Sequence, residues 1–262
     1  MAKVIAIANQ KGGVGKTTTA INLAASFAAN DIKVLLIDID PQGNSTTGLG
    51  IQKEELTGTT YEVLLTEQDT SMAIMSTQMD GLDLLPADKN LVGANIELVG
   101  VDDREFRLRK KIKPLLESYR FILIDCPPAL DLLTINALCA ADSVIIPIQC
   151  EFFALEGISQ LIDTIERVNE SFQHPIKIEG ILLTMFDDRT NLAKMVADDL
   201  KEFFKDEVFD TVIPRSIKLA EAPSHGKPIL LYDVRSKGAE CYIKLAKEIL
   251  ENEQVRTAQT LG

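Results

Sequence analysis

Gln10-Lys11-Gly12-Gly13-Val14-Gly15-Lys16-Thr17-Thr18 is the stretch that decides the fold, because it has the form of a phosphate-binding loop. Gly15-Lys16-Thr17 matches the usual end of such a loop, whereas Gln10 replaces the glycine that usually opens it. Glycines let successive backbone N–H groups point at phosphate oxygens, and a helix starting near Lys16 adds the positive end of its dipole. A glycine-rich turn that binds nothing is the alternative, and the strand–loop–helix context disfavours it.

Two lysines in this loop predict two different contacts. Lys16 is expected to lie against the β- and γ-phosphates of a nucleotide, with the Thr17 hydroxyl on Mg²⁺ and the Thr18 hydroxyl near the α-phosphate. Lys11 stands where the loop begins, and from there its side chain can point away from that nucleotide. A second lysine in this place suggests a second subunit.

Composition and charge describe an ordinary globular chain. The 262 residues favour one large domain, and the net charge of −12 argues against a surface coated with nucleic-acid-binding charge while leaving a local basic patch open. The four cysteines include no Cys-x-x-Cys pair, which favours reduced, buried thiols in a cytoplasmic protein over a zinc or iron–sulfur site. No apolar run reaches the roughly 18 residues that a membrane span needs.

Short apolar runs alternate with helical patterns, which predicts an α/β fold: a single-domain, doubly wound, mostly parallel sheet flanked by helices. The predicted domain covers residues 1–256, residues 257–262 are expected to fray, and residues 44–81 are the least regular stretch, read as an insertion near the nucleotide. The predicted strands are Lys3–Ala8, Lys33–Asp38, Leu82–Pro86, Phe121–Asp125, Ser143–Ile148, Ile178–Met185 and Val208–Ile213. The predicted helices are Lys16–Ala29, Asn90–Glu117, Leu132–Ala140, Leu155–Ser171, Asn191–Lys205 and Ala239–Asn252.

Two aspartates leave the end of the second predicted strand, in the segment Ile37-Asp38-Ile39-Asp40-Pro41. This places them at the carboxyl edge of the sheet, where doubly wound folds bind ligands. Asp40 lies just past the strand and is expected to reach an attacking water and the metal. Asp38 is expected to hold the loop or a metal-bound water. Either aspartate could instead cap the turn before Pro41.

A third acid follows the apolar run Phe121-Ile122-Leu123-Ile124. An apolar strand that ends in aspartate, here Asp125, is the Walker B pattern, in which the carboxylate holds Mg²⁺ directly or through water. The pattern is common by itself and becomes specific at the right distance after a phosphate loop. Pro127-Pro128 then stiffens the following loop, which could switch position when the γ-phosphate is lost.

Further segments carry a family resemblance. The chain is similar to the ParA/MinD superfamily of deviant-Walker P-loop ATPases, whose diagnostic loop is Lys11-Gly12-Gly13-Val14-Gly15-Lys16-Thr17, and within it to the chromosomal ParA (Soj) branch. The segments that resemble this branch are Asp38 to Asn44, Asp125 to Pro128, Met185-Phe186-Asp187-Asp188-Arg189-Thr190-Asn191-Leu192 and Pro214-Arg215-Ser216-Ile217-Lys218-Leu219-Ala220-Glu221-Ala222-Pro223-Ser224-His225-Gly226. The resemblance runs from Lys3 to about Leu250.

This resemblance implies an ATPase that hydrolyses ATP to ADP and phosphate with Mg²⁺. It implies that Lys11 reaches the phosphates of the other subunit in an ATP-dependent sandwich dimer, that Lys16 and Asp40 act with it in catalysis, and that Thr17, Asp40 and Asp125 serve the metal. The residues that it implies for nucleotide binding are Lys11, Gly12, Gly13, Val14, Gly15, Lys16, Thr17 and Thr18 for the phosphates, and Met185, Pro214, Arg215 and Ser216 near adenine.

The resemblance further implies a DNA-partitioning switch in chromosome or plasmid segregation, associated with the nucleoid. The dimer would bind DNA without sequence preference through Arg189 and position 218, and a ParB-type centromere-binding protein would stimulate hydrolysis and release it. Lys218 stands where arginine is common, and it keeps the charge but loses the bidentate fork. Residues 214–238 carry five basic and two acidic side chains, net +3, although a solvated surface loop has the same count.

Three alternatives stay open at this point. A MinD-like ATPase that cycles on membranes would need a basic amphipathic C-terminal helix, whereas residues 247–254 are rich in acids, and no membrane binding is expected. An iron–sulfur carrier would need cysteines that bridge a cluster across a dimer. A metabolic enzyme on the same fold, such as an amidoligase, would need a further catalytic constellation, which the sequence does not show.

Overall fold

Seven strands form one sheet in the part of the chain that the computed structural model describes, residues 1–152 and 154–261, with the backbone alone at Lys53 and at residues 256–261. The strands are β1 (Lys3–Ile7), β2 (Val34–Asp38), β3 (Met75–Ser76), β4 (Leu82–Leu85), β5 (Phe121–Asp125), β6 (Ser143–Gln149) and β7 (Lys177–Thr184). Their order across the sheet is β3-β4-β2-β5-β1-β6-β7, and all neighbours are parallel except β3 and β4.

Helices connect these strands. The α-helices are α1 (Lys16–Ala28), α2 (Asn44–Gly48), α3 (Thr60–Leu65), α4 (Ala94–Glu97), α5 (Arg107–Ile112), α6 (Leu132–Ala140), α7 (Ala154–Phe172), α8 (Asn191–Phe204), α9 (Ile217–Glu221), α10 (Ile229–Tyr232) and α11 (Lys237–Leu261). Short 3₁₀ turns lie at Lys53–Glu55, Thr70–Ala73, Lys89–Gly93, Leu98–Gly100, Arg104–Phe106, Lys113–Leu115, Lys205–Glu207 and Ala222–His225.

Alternate residues of each central strand enter two separate cores, one on each face of the sheet. In β1, Val4 and Ala6 pack with α6, α7 and α8, whereas Ile5 and Ile7 pack with α1 and α11. The second core includes the stacked rings of Phe27 and Phe121, 4.3 Å apart. Strands covered on both faces are uniformly apolar, which explains the unbroken runs in the sequence. The predicted α/β class, with a mostly parallel sheet flanked by helices in one domain, is confirmed.

The predicted strand Val208–Ile213 is wrong. This segment lies beside β7 without forming a continuous ladder with it. One isolated bridge joins Ile181 and Val208, and a separate backbone hydrogen bond runs from Ile213 to the Leu183 carbonyl. The side chain of Glu248 explains the difference, because its carboxylate accepts the backbone N–H groups of Asp210 and Thr211 at 2.7 and 3.0 Å. A helix side chain thus takes donors that a continuous β-ladder would use.

The predicted single helix Asn90–Glu117 is also wrong, because the segment folds as α4, α5 and four short 3₁₀ turns. Asp103 has φ of 53°, a left-handed conformation that interrupts a helix, and Pro114 lies in the first turn of the 3₁₀ piece Lys113–Leu115, just past the end of α5 at Ile112. Residues 44–81 contain α2, α3 and the edge strand β3, which the sequence reading missed. The side chains of residues 257–261 and the whole of Gly262 lie outside the described part of the chain. The predicted fraying of residues 257–262 and the predicted domain boundary at residue 256 therefore stay predictions.

Candidate functional site

A cavity of about 390 Å³ opens at the carboxyl edge of the sheet, and residues from the sequence motifs meet there. Its lining includes loop residues, Asp40 and the end of β7, although these are far apart along the chain. The lining residues are Gly12, Gly13, Gly15, Lys16, Thr17, Thr18, Asp40, Gln42, Asn44, Pro128, Thr184, Met185, Ile213, Pro214, Ser216, Leu219, Ala220 and Tyr242. This is the position at which doubly wound sheets bind ligands.

The phosphate loop joins β1 to α1. Gly13 and Gly15 have φ of 75° and 87°, so residues with a Cβ would be strained at both positions. The Thr184 hydroxyl at the end of β7 donates to the Val14 carbonyl at 2.7 Å and fastens the loop to the sheet. The loop is therefore a curved backbone that ends at a helix N-terminus, which is the arrangement that binds phosphate.

Lys16 is buried at the base of this loop and is only 7% exposed. Its Nζ donates to the Lys11 carbonyl at 3.0 Å. Burial lowers the pKa of Lys16, and the nearby carboxylates, Asp125 first, partly offset this effect. A buried ammonium that faces a cavity is strongly stabilised by an anionic ligand such as a phosphate, because water screens the attraction between the two charges only weakly there.

Asp38 and Asp125 lie side by side at the ends of β2 and β5, and both are fully buried. Burial raises the pKa of each carboxyl above its ordinary value, and the charge of Asp125 raises that of Asp38 further. Asp38 accepts the backbone N–H and the hydroxyl of Thr46 at 2.9 and 2.8 Å. Asp38 therefore holds the loop that follows β2, one of the two roles open to it from the sequence.

Asp40 lies at the mouth of the same region and lines the cavity. Its Oδ1 accepts the Gln42 N–H at 2.9 Å, so it also caps the turn at Pro41. The second carboxylate oxygen takes no part in that bond. The two readings of Asp40 from the sequence, turn cap and cavity carboxylate, are thus compatible in one side chain.

The residues around Asp125 fit Mg²⁺. Asp125 Oδ2 accepts the Ser45 hydroxyl at 2.8 Å, while its buried Oδ1 has no hydrogen-bond partner among the described residues. The Thr17 hydroxyl lowers the pKa of Asp125 by hydrogen bonding, which places it beside the same carboxylate. Mg²⁺ takes one or two protein oxygens together with water and substrate phosphates, so a carboxylate and a hydroxyl next to a phosphate loop suffice.

Lys11 does not line the cavity. Its Nζ donates to Glu151 Oε2 at 2.6 Å, and the two side chains are 40% and 47% exposed. Its backbone N–H donates to Asn9 Oδ1, and Asn9 in turn donates to the Pro147 carbonyl in β6. The loop therefore presents Lys11 at the surface beside the cavity and away from its phosphate-binding backbone.

Mostly apolar residues form the other end of the cavity, where the family resemblance implies that adenine binds. Met185, with φ of 47°, Pro214 and Ser216 line it, whereas Arg215 does not and instead donates its backbone N–H to the Phe186 carbonyl at 3.1 Å. The sequence reading missed Thr184, Ile213, Leu219, Ala220 and Tyr242, which complete this end. No local pattern marks Tyr242, because α11 is far from the phosphate loop in the sequence. The Tyr242 hydroxyl forms a hydrogen bond with the Thr19 hydroxyl on α1, which holds the ring at the cavity.

The predicted DNA-contacting residues lie outside the cavity on adjoining segments. Arg189 follows Met185 and precedes α8, and its side chain is 82% exposed. Lys218 lies in α9 and is 51% exposed. Backbone hydrogen bonds from Phe186 to Ile213 and from Arg215 to Phe186 join the two segments.

The four cysteines are all free and buried, as expected from their spacing. No group of three or more His, Cys, Asp or Glu side chains in the described part of the chain is arranged to hold a metal ion. None of the described helices has the length and apolar character needed to cross a membrane.

Comparison with known proteins identifies the family. A family model described as an AAA domain matches residues 2–178. The sporulation initiation inhibitor protein Soj of Bacillus subtilis is 54% identical over 252 residues, which cover 96% of this chain and all of that protein. The chain belongs to the ParA/Soj family of chromosome-partitioning ATPases. The chromosome partitioning protein ParA of Myxococcus xanthus is 52% identical over 251 residues, 96% of this chain and 89% of that protein.

A solved structure with a bound nucleotide is also similar to this ParA/Soj family member. A Mycobacterium smegmatis protein named cobyrinic acid a,c-diamide synthase, with bound ADP and magnesium, superposes with a TM-score of 0.85 at 36% identity and covers 97% of this chain and 96% of its own. Its name belongs to the metabolic-enzyme class, but its identity is lower than that of the partitioning relatives. The predictions of an ATPase fold and of ATP with Mg²⁺ as its ligands are confirmed at the level of the family.

Proposed function

We propose that this ParA/Soj family member is an ATP-dependent DNA-partitioning switch. In this proposal an ATP-bound sandwich dimer binds DNA without sequence preference, and a ParB-type partner stimulates hydrolysis and releases the dimer from the nucleoid. The observation that carries the proposal is the shared position of two segments. Met185, Pro214 and Ser216 line the cavity, and Arg189 and Lys218 lie a few residues further along the same two hydrogen-bonded segments, so one backbone unit would serve nucleotide and DNA.

Each subunit supplies the groups that phosphoryl transfer requires. Lys16 exchanges the Lys11 carbonyl for the nucleotide phosphates, and Asp40 orients the attacking water from the mouth of the cavity. Thr17 and Asp125 would hold Mg²⁺, which neutralises charge on the phosphates when it is bound. Phosphoryl transfer needs positioning and charge stabilisation more than covalent chemistry, so these few side chains are enough.

Lys11 is assigned to the partner's nucleotide. In the single chain its ammonium is paired with Glu151 at the surface beside the cavity, and it makes no contact with its own loop's phosphate-binding N–H groups. A cation in that position is free to cross to a second copy when an anionic phosphate is offered there. The sandwich dimer would then join the two active sites and report ATP from one subunit to the other.

The test is an electrophoretic shift of nonspecific duplex DNA with ATP, with ADP and with Asp40→Ala in ATP. We expect binding with ATP alone, and retained or longer-lived binding for Asp40→Ala because hydrolysis no longer ends the bound state. Equal DNA binding in ADP and ATP would contradict the switch. Strong ATP-dependent sedimentation with anionic vesicles would instead favour the MinD-like alternative.

A further inference from the structure

Arg189 is already occupied by a carboxylate of its own chain. Its Nε donates to Asp187 Oδ1 at 2.8 Å and its terminal nitrogen donates to Asp187 Oδ2 at 2.6 Å. This bidentate pair is the geometry in which a guanidinium also binds phosphate. The hydrogen bonds from Arg189 lower the pKa of Asp187 to about 2, so the carboxylate stays charged at every physiological pH.

Lys218 has a similar companion. Its Nζ lies 3.5 Å from Glu221 Oε2 and 5.4 Å from the centre of the Tyr232 ring. The Tyr232 hydroxyl donates to the same Glu221 oxygen at 3.0 Å, which fixes the acid beside the lysine. Both cations assigned to DNA therefore face an acid on the same short segment.

We propose that Asp187 and Glu221 stand in for DNA phosphate on these two cations, so that DNA binding exchanges a protein carboxylate for a backbone phosphate. The inference rests on the proposed function. Donors that are bonded to Asp187 must leave it before they can bind a phosphate, and a cation that its own carboxylate already neutralises displaces fewer of the counterions condensed on the DNA. The two acids thus keep DNA affinity low enough for the protein to detach.

The position of these pairs connects the exchange to ATP. Met185 lies two residues before Asp187 and lines the cavity, as does Ser216 two residues before Lys218. A nucleotide in the cavity contacts both segments close to the pairs. Its presence can therefore change the distance between each cation and its acid without any movement of the sheet.

Asp187 also organises its turn, and the test must separate this role from its charge. Its Oδ1 accepts the backbone N–H of Arg189 at 3.1 Å, and its carbonyl accepts the N–H of Thr190, the N-cap of α8. Asparagine keeps an Oδ1 acceptor for the turn, but it loses the negative charge and carries an NH2 donor in place of the Oδ2 acceptor. Asp187→Asn therefore preserves the turn and removes the ion pair and the bidentate contact with the guanidinium.

The experiment measures fluorescence anisotropy of a labelled duplex of arbitrary sequence with ATP, over a series of salt concentrations. Asp187→Asn is compared with Asp80→Asn, which removes the same charge at an exposed site between β3 and β4. We expect Asp187→Asn to bind about 2- to 5-fold more tightly than the control, as breaking an exposed ion pair allows. Its salt dependence should steepen by up to about 0.9 in logarithmic slope for each cation freed.

Glu221→Gln is the second variant, and it should tighten binding in the same direction because glutamine can still accept the Tyr232 hydroxyl. Equal or weaker binding of Asp187→Asn relative to Asp80→Asn would overturn the inference. Arg189→Ala distinguishes a failure of the inference from a failure of the proposed function. If Arg189→Ala loses DNA binding while Asp187→Asn binds DNA no more tightly than the control, the proposed function stands and the inference is overturned. If the wild-type protein binds no DNA with ATP, the proposed function itself fails.

Discussion

Asp125 illustrates how a functional residue is stabilised poorly until its ligand arrives. It is fully buried, its Oδ1 has no partner among the described residues, and a second buried carboxyl group, that of Asp38, lies opposite it in the neighbouring strand. Such an arrangement is costly in the free protein and favours binding of a cation. Ser45 and Thr46 reduce the cost by donating hydroxyls to the two acids.

We expect Asp125→Asn to raise the free energy of unfolding of the metal-free protein by about 1–2 kcal/mol at pH 8. The folded-state pKa of Asp125 is raised to about 6, so the penalty is absent below the ordinary aspartate value, grows as the pH rises from there to the folded-state value, and is complete above it. Asparagine carries no charge and still accepts the Ser45 hydroxyl. Urea denaturation at pH 4.5 and pH 8 measures the difference, which should be smaller at the lower pH.

Adding Mg²⁺ and ADP provides the matching control for this residue. The wild-type protein should gain stability from the pair, because ligand binding to the folded state adds to its stability, while the variant should gain less. A variant that is less stable than wild type at pH 8 without metal would contradict this account of Asp125.

Among the elements, the segment at residues 208–213 shows how packing replaces a strand. Phe209 is almost fully buried and donates its N–H to the Ile181 carbonyl, while Glu248 on α11 accepts the next two N–H groups. The Phe209 ring covers Gly180 in β7 so closely that a Cβ there would lie 2.4 Å from it. The glycine is therefore required by the ring and not by its backbone conformation.

Gly180→Ala is expected to lower the free energy of unfolding by about 1–3 kcal/mol, because the ring must move in a packed core. Gly157→Ala is the matched control, since a Cβ at that position in α7 meets nothing within 4 Å. It should raise stability by about 0.5–1 kcal/mol through helix propensity. Urea denaturation of both variants gives the comparison, and equal stabilities would show that the ring moves freely.

At the scale of the whole molecule, the exposed position of Lys11 is the feature on which the proposed dimer depends. The loop gives Lys16 to the cavity of its own subunit and leaves Lys11 outside, in an exposed pair with Glu151. In the proposed function, Thr17, Asp40 and Asp125 supply a subunit with its metal and water-positioning groups. Lys11 is then available for the phosphates of a second copy.

Lys11→Ala should leave nucleotide binding largely intact and abolish ATP-dependent dimerisation. Light scattering after size exclusion, with ATP in an Asp40→Ala background, measures the dimer, and fluorescent nucleotide titration measures binding. Lys113→Ala removes the same charge from an exposed turn and should still dimerise. A Lys11→Ala protein that dimerises like this control would refute the division of roles between the two lysines.

Local patterns were sufficient for the six longer strands of the sheet, although not for the edge strand β3, and for much of the site. The uniform burial of β2 and β5 produces apolar runs, Asp38 and Asp125 mark their ends, and the glycines of the loop mark left-handed backbone. Each of these features depends on residues that are close together in the chain. The physical constraint that produces the feature is therefore visible in the local sequence. The connection of α1 to β1 through the loop was predictable for the same reason.

The tertiary structure alone decided the contacts between distant residues. The pairing of Lys11 with Glu151, the closing of the cavity by Tyr242 and the capture of residues 210 and 211 by Glu248 join positions separated by long stretches of chain. Each depends on which of several possible partners lies nearest once the elements pack, and no periodicity records that choice. The sequence therefore determined which groups this protein has for nucleotide chemistry, and packing decided what each group faces.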